Sequence, residues 1–465
     1  MVQHRFLLIT YPIQGHINPS IQFAKRLVSM GVHVTFATSL YLHRRMLKKP
    51  TIPGLSFATF SDGYDDGYKA TDDSSLSSYM SELKRRGSEF LRNIITAAKQ
   101  EGQPFTCLAY TILLPWAAKV ARELHIPGAL LWIQAATVFD IYYYYFHEYG
   151  DSFNYKSDPT IELPGLPFSL TARDVPSFLL PSNIYRFALP TLQEQFQDLD
   201  DETNPIILVN TFQDLEPDAL RAVDKFTMIP IGPLNIPSAF LDGKDPADTS
   251  YGGDLFDASN DYVEWLDSQP ELSVVYVSFG TLAVLADRQM KELARALLDS
   301  GYLFLWVIRD MQGIEDNCRE ELEQRGKIVK WCSQVEVLSH GSLGCFVTHC
   351  GWNSTMESLG SGVPMVAFPQ WTDQGTNAKM VQDVWKTGVR VDDKVNVEEG
   401  IVEAEEIRKC LDVVMGSGGK GQEFRRNADK WKCLAREAVT EGGSSDSNMR
   451  TFLHDVAKFG HDCFM

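Results

Sequence analysis

A chain of 465 residues, 44% hydrophobic and 22% charged, has ordinary globular composition and enough length for two sizeable cores. Its formal net charge of −18 argues against nucleic acid or an anionic membrane as the main partner. Small anionic ligands stay open, because helix ends and backbone N–H groups supply local positive potential.

In chain order, Phe6–Thr10 reads as a buried strand, too short an apolar run for a signal peptide. A Gly-Pro loop follows, then a periodic helix from Pro19 to Met30, stopped by Gly31, and a strand over Val32–Thr38. A short strand–helix–strand unit implies parallel pairing. Further strands are predicted at Thr106–Tyr110, Ala129–Ile133 and Ile206–Asn210. The weakly apolar stretch Ile126–Phe146 contains Pro127, Gln134 and Asp140, which suits buried elements better than a membrane span. Within it, Tyr142–Tyr145 and Phe146 read either as the lining of an apolar pocket or as a helix packed on the core.

The polar segment Asp242–Phe256 is the candidate linker between an N-terminal domain (1–241) and a C-terminal one (257–447). A second alternation then begins, with strands at Ser273–Ser278, Tyr302–Ile308, Ile328–Lys330, Cys345–Thr348 and Met365–Ala367, and a helix at Arg288–Leu298. The chain is charged and helical from Gly421, and the last helix, within 448–465, is expected to pack back on the N-terminal domain. The predicted class is α/β: two doubly wound parallel sheets, with ligand bound in a cleft between them at the strands' carboxyl ends. Eight scattered cysteines without a CxxC pair read as reduced thiols of a cytosolic protein.

The densest chemistry lies in Trp331–Gln374. A strand ends near Thr348, Gly351 lets the backbone approach a ligand, and a helix starts at Asn353 or Ser354. Free N–H groups at a helix start, with the dipole behind them, make an anion site to which His349, Asn353 and Ser354 add donors. The same turn also reads as an ordinary capped helix, Glu357 completing a capping box. Glu357, one turn in, suits a ribose; Trp331 offers a flat face to a base, and Cys332 and its neighbours offer backbone groups to the base's edge. Asp373 and Gln374 would face sugar hydroxyls.

Over that whole span the segment resembles the signature box of plant family 1 UDP-glycosyltransferases, and the likeness runs from YPIQGHINP near the start to GSSDSN near the end. It is most similar to the group with anthocyanin 5-O-, crocetin and indole-3-acetate glucosyltransferases. The resemblance implies a GT-B fold, an N-terminal acceptor half and a C-terminal UDP-sugar half, and inverting transfer without a metal or other cofactor. It also implies a small-molecule acceptor and a UDP-sugar as partners, with no nucleic acid or membrane insertion, in a cytoplasmic monomer. By match, Trp331 would stack on uracil, Gln334 and Glu357 would serve the ribose, and Thr281, His349, Asn353 and Ser354 would hold the diphosphate. Trp352, Asp373 and Gln374 would position the sugar, the closing glutamine leaning to glucose.

His16, in Gly15-His16 after the first strand, is either a surface-loop histidine or, as the resemblance implies, the base that takes the acceptor's proton. The family places an aspartate in the fourth strand's loop to orient that base; here Thr111 stands at the matching position. A hydroxyl holds an imidazole but does not offset its charge, so either another carboxylate substitutes in space or His16 is a weak base suited to acceptors that are already acidic. Two patterns are set aside. Gly416–Gly421 matches GxGxxG but follows a helical pattern, and is expected to be a flexible loop. Asn353-Ser354-Thr355 is a formal glycosylation sequon in a chain read as cytosolic. The alternatives are an epimerase or hydrolase acting on the UDP-sugar alone, and a non-catalytic UDP-sugar or metabolite binder.

Overall fold

The computed structural model describes residues 4–46, 50–69, 73–153, 160–183, 185, 187–241, 243, 248, 261–311, 313–392 and 400–462. They fall into two compact units. One holds the described residues of Met1–Asn235 and Glu437–Met465, the other those of Ile236–Ser250 and Phe256–Arg436. The candidate linker 242–256 lies almost wholly outside the described residues.

In the first unit β1 (Arg5–Ile9), β2 (His33–Ser39), β3 (Leu55–Phe60), β4 (Cys107–Thr111), β5 (Gly128–Trp132), β6 (Ile206–Val209) and β7 (Met228–Pro230) form one parallel sheet in the order β3-β2-β1-β4-β5-β6-β7. The central strands are continuous apolar runs because helices cover both faces of such a sheet: Phe6, Leu7, Leu8, Leu108, Ala109, Leu130 and Leu131 are fully buried. The edges β3 and β7 escape the sequence reading, since β3 is only partly buried and β7 is three residues ending in Pro230.

The first helix runs Gln14–Ser29, not from Pro19. Extended Ile13 caps it, its carbonyl accepting from His16 N and Ile17 N at 3.0 and 3.1 Å. Pro19 therefore sits inside the helix, where it has no backbone N–H to donate. His16 is consequently in the helix's first turn and not in a surface loop. The aromatic run is the helix Ala136–Phe146, with Tyr142 and Tyr144 buried; Tyr142 meets Trp132 edge-on and Tyr144 Oη donates to Ala222 O at 2.6 Å. This is core packing. The last helix, Ser444–Asp462, belongs to the first unit. Ser445 Oγ donates to Gly232 O at 2.6 Å, Asn448 Nδ2 donates to Pro230 O at 2.8 Å, and Phe452 packs edge-on against Phe6.

In the second unit β8 (Val274–Ser278), β9 (Leu303–Val307), β10 (Gly326–Val329), β11 (Leu343–Thr348), β12 (Met365–Ala367) and β13 (Gly388–Arg390) form a parallel sheet in the order β10-β9-β8-β11-β12-β13. Its core gathers Val275, Val277, Leu293, Phe304, Trp306, Val347 and Leu411. Gly416 caps the helix Ala404–Met415, and Gly419 already opens the helix Gly419–Val439, so the GxGxxG segment is not one loop. The backbones there pack closely: a Cβ on Gly421 would lie 2.3 Å from Gly416 O. No described helix is long and apolar enough to cross a membrane.

Candidate functional site

In both sheets the strand order reverses at one place, and loops that leave neighbouring strands in opposite directions open a crevice at their carboxyl ends there. In the first unit the reversal lies between β1 and β4, in the second between β8 and β11. His16 and Thr111 of the first unit, and Thr281, His349, Asn353 and Ser354 of the second, follow or end the strands that flank these points.

In the first unit the helix start after β1 carries His16, and β4 ends on Thr111. His16 Nδ1 lies 3.2 Å from Thr111 Oγ1, which also accepts the backbone N–H of Tyr11 at 3.0 Å. Tyr11 lays its ring against the imidazole, centroids 5.3 Å apart. Thr111 is fully buried and His16 is 6% exposed. Burial lowers the His16 pKa to about 3, so the imidazole is neutral at physiological pH. Among the described residues no carboxylate hydrogen-bonds it.

A hydroxyl in place of a carboxylate changes the proton logic. An aspartate only accepts, which pins the proton on Nδ1 and leaves the Nε2 lone pair for chemistry. Thr111 permits both tautomers: its second lone pair can take Nδ1–H, or its own proton can go to Nδ1 and place the ring proton on Nε2. His16 is held by Thr111 without being committed to one state.

In the second unit the loop after β8 turns at Gly280, φ +74°, and carries half-buried Thr281. After β11 the chain passes His349 and Cys350, whose φ of +61° makes a tight corner, and enters the helix Trp352–Ser361. That helix starts one residue earlier than the sequence suggests. Its N-cap is Gly351, with no side-chain cap, so Ser354 stands at the third helical position. This excludes the capping-box reading of Glu357, since Ser354 does not stand at the N-cap. The His349 ring fits between two glycines. A Cβ would come within 2.8 Å of the ring from Gly280 and 2.6 Å of Nε2 from Gly351. Burial lowers the His349 pKa to about 4, so it too is neutral, and Nδ1 is buried without a hydrogen-bond partner.

Around that helix start, Gln334 Nε2 donates to Ser354 Oγ at 2.8 Å and to Glu357 Oε2 at 2.5 Å. Glu357 is 3% exposed and lies on the buried side of the helix. Half-buried Trp331 and buried Cys332 lead into the helix Gln334–Leu338, and burial pushes the Cys332 thiol up to about 12, an unreactive sulfhydryl. Trp352 is buried against Trp385, ring centroids 6.1 Å apart, so its side chain is packing, while Asn353 beside it is half-buried.

Asp373 and Gln374 follow β12 and open the helix Gln374–Lys379. Gln374 Oε1 accepts from Gln370 N and Trp371 N at 2.8 and 3.0 Å, which leaves Nε2 as the group the side chain presents. Asp373 Oδ2 accepts from Asn377 Nδ2, 2.8 Å away, and the same nitrogen donates to Cys350 O at 2.9 Å. Asn377 therefore ties the Asp373 loop to the turn after β11. Sequence reading missed Asn377, Tyr11 and Tyr276, the last with its hydroxyl 3.3 Å from Gln334 Oε1. The signal for Tyr276 was one phenol in an otherwise apolar buried strand; for Asn377 it was an amide one turn after Asp373.

A family model described as "UDP-glucoronosyl and UDP-glucosyl transferase" matches residues 252–415. The chain is 60% identical over 479 residues to a phloretin 4'-O-glucosyltransferase of Malus domestica, covering 98% of each. It is 59% identical over 475 residues to a chloroplastic crocetin glucosyltransferase of Gardenia jasminoides, again covering 98% of each. Its structure resembles that of Os79 from O. sativa in complex with UDP, with a TM-score of 0.85, 35% identity, and coverage of 98% of this chain and 100% of that one.

Proposed function

Since the chain belongs to the plant family 1 UDP-glycosyltransferases, we propose that it is an inverting glucosyltransferase that prefers acidic acceptors: carboxylic acids and acidic phenols of small lipophilic plant metabolites. UDP-glucose is the co-substrate of this reading, and glucose as the sugar is supported by relatives named as glucosyltransferases. The acceptor oxygen attacks the anomeric carbon opposite UDP, and the α-linked donor becomes a β-linked glucoside or glucose ester.

Each donor contact has a physical basis in the second unit. Trp331 stacks on uracil and the Cys332 backbone meets the base's edge, while Gln334 and Glu357 take the ribose hydroxyls. The diphosphate sits on the helix start that Gly351 leaves uncapped, with His349, Asn353, Ser354 and Thr281 as donors. Fixed N–H groups aimed at the leaving diphosphate stabilise charge as it develops, and no metal is needed for that role. Asp373, Gln374 through Nε2, and the backbone at Trp352 position the glucose.

The observation that carries the acceptor preference is that His16 pairs with a hydroxyl where a carboxylate would hold its imidazolium. A buried imidazole whose pKa falls to about 3 draws little proton from an aliphatic alcohol. A carboxylic acid is already ionised at neutral pH and needs only to be held. The test is UDP release from UDP-glucose, with EDTA present, over flavonoids, phenolic acids, apocarotenoid acids and aliphatic alcohols. Esters are separated from ethers by their lability to hydroxylamine. Turnover confined to acids and acidic phenols is expected; efficient transfer to aliphatic alcohols and none to acids overturns the preference. Binding of UDP-glucose with no acceptor-dependent UDP release overturns the enzymatic reading of the pair.

A further inference from the structure

Tyr276 lies at the centre of β8, 1% exposed, between Val275 and Val277. Its ring stacks on Phe346 of β11, centroids 4.8 Å apart and 21° from parallel, so packing alone holds the ring. The hydroxyl adds nothing to that packing, and burying it is unfavourable unless it is bonded. Its partners are Cys332 Sγ at 3.4 Å, Gln334 Oε1 at 3.3 Å and the Ser278 side chain.

The direction of these bonds follows from what each group can do. The Gln334 amide turns its nitrogen to Glu357 Oε2 and Ser354 Oγ, and so its oxygen points the other way. That oxygen needs a donor, and the Tyr276 hydroxyl supplies it, which leaves the phenol oxygen to accept from the Cys332 thiol or the Ser278 hydroxyl. The chain of bonds runs one way, from Tyr276 through Gln334 to Glu357. Aligned bonds of this kind reinforce one another in a buried site.

We propose that Tyr276 is a positioning residue for the donor's ribose: its hydroxyl locks the Gln334 amide in the orientation that holds Glu357 and Ser354 ready for the nucleotide. The inference rests on the donor reading above, in which Glu357 takes the ribose hydroxyls. Tyr276 touches no substrate in this scheme and acts through Gln334 alone. Removing the hydroxyl keeps the ring and its stacking, strands the amide oxygen without a donor, and frees Gln334 to rotate away from Glu357.

The test is titration calorimetry of wild type, Tyr276→Phe, Gln334→Leu and the double variant with UDP, 2′-deoxy-UDP and 3′-deoxy-UDP. Wild type is expected to bind UDP more tightly than the deoxy analogues. Tyr276→Phe should weaken UDP about five- to twentyfold and the deoxy analogues by less than about twofold, so that the preference for the intact ribose shrinks. KM for UDP-glucose should rise in parallel with kcat nearly unchanged, a split that general loosening of the fold does not produce. Gln334→Leu should show the same selective loss, and the double variant should be no worse than Gln334→Leu, since both act on one network. If wild type prefers UDP and Tyr276→Phe keeps that preference in full, the role of Tyr276 is overturned while the donor reading stands. If wild type itself does not distinguish UDP from its deoxy analogues, the assignment of Glu357 to the ribose falls and the inference falls with it. Should Tyr276→Phe not fold, Gln334→Leu decides: an unselective loss there overturns the network.

Discussion

Replacing Thr111 with aspartate supplies the carboxylate that His16 lacks, in a position already built to receive it. Thr111 Oγ1 stands 3.2 Å from His16 Nδ1 and 3.0 Å from the Tyr11 backbone N–H, so an aspartate oxygen there would accept both bonds. It would pin the proton on Nδ1 and leave Nε2 as the base. The attraction between a carboxylate and an imidazolium about 4 Å apart is about 4 kcal/mol at an effective dielectric of 20, and such pairs shift a pKa by about 1–3 units. The His16 pKa, now near 3, would rise by that amount. General-base catalysis contributes about 10²–10⁴-fold where it operates, so a partial gain of about ten- to a thousandfold in kcat/KM is expected for an aliphatic alcohol acceptor. A carboxylic acid acceptor should change by less than about threefold, having no proton to give up at neutral pH. The assay is kcat/KM against pH for one alcohol and one acid, with UDP affinity measured alongside as a check on the second unit. An alcohol rate that stays flat in Thr111→Asp, with UDP affinity intact and the protein folded, refutes the idea that the missing carboxylate limits His16.

The two neutral histidines make stability depend on pH. His16 has a folded pKa of about 3 against 6.5 unfolded, so between those values the unfolded chain binds the proton and the folded one does not. Stability is then full above about pH 6.5 and falls as pH drops towards 3, by up to about 1.4 kcal/mol per pH unit for His16. His349 adds a fall of the same sign between 6.5 and about 4. Urea unfolding from pH 7 to 4.5 should show this slope, and His16→Gln should flatten it; an unchanged slope rules out burial of a neutral imidazole as its cause. Gly351→Ala places a Cβ 2.6 Å from His349 Nε2 without backbone strain, since φ is −57°. KM for UDP-glucose is expected to rise at least about tenfold as the proposed donor to the diphosphate is displaced; an unaltered KM removes His349 from the donor site.

The second unit's site was legible because it is local in sequence. Trp331 to Gln374 carries strand, turn, helix start and carboxylate in one run, and a glycine at a strand-to-helix corner has a physical meaning that its sequence neighbours alone convey. The central strands were legible for a similar reason: strands covered on both faces are unbroken apolar runs. The edges were not. β3 is only partly buried, β7 and β13 have three residues each, and no periodicity accumulates over so short a length. The start of the first helix was misplaced because Pro19 reads as a first-turn residue, whereas Ile13 begins the helix without any side-chain cap to announce it.

The sequence by itself determined the fold class and the family, and it marked Trp331–Gln374 as the candidate donor segment, because each depends on patterns within a few tens of residues. Only the tertiary structure decided the state of those residues. His16 and Thr111 are 95 positions apart, and they meet because β1 pairs with β4 at the reversal of strand order. Tyr276 reaches Gln334 across 58 positions, from a strand buried on both faces where no alternation marks one side chain from the next. A proton's place on an imidazole or an amide's orientation is set by the groups that surround it in space, and sequence separation carries no information about those.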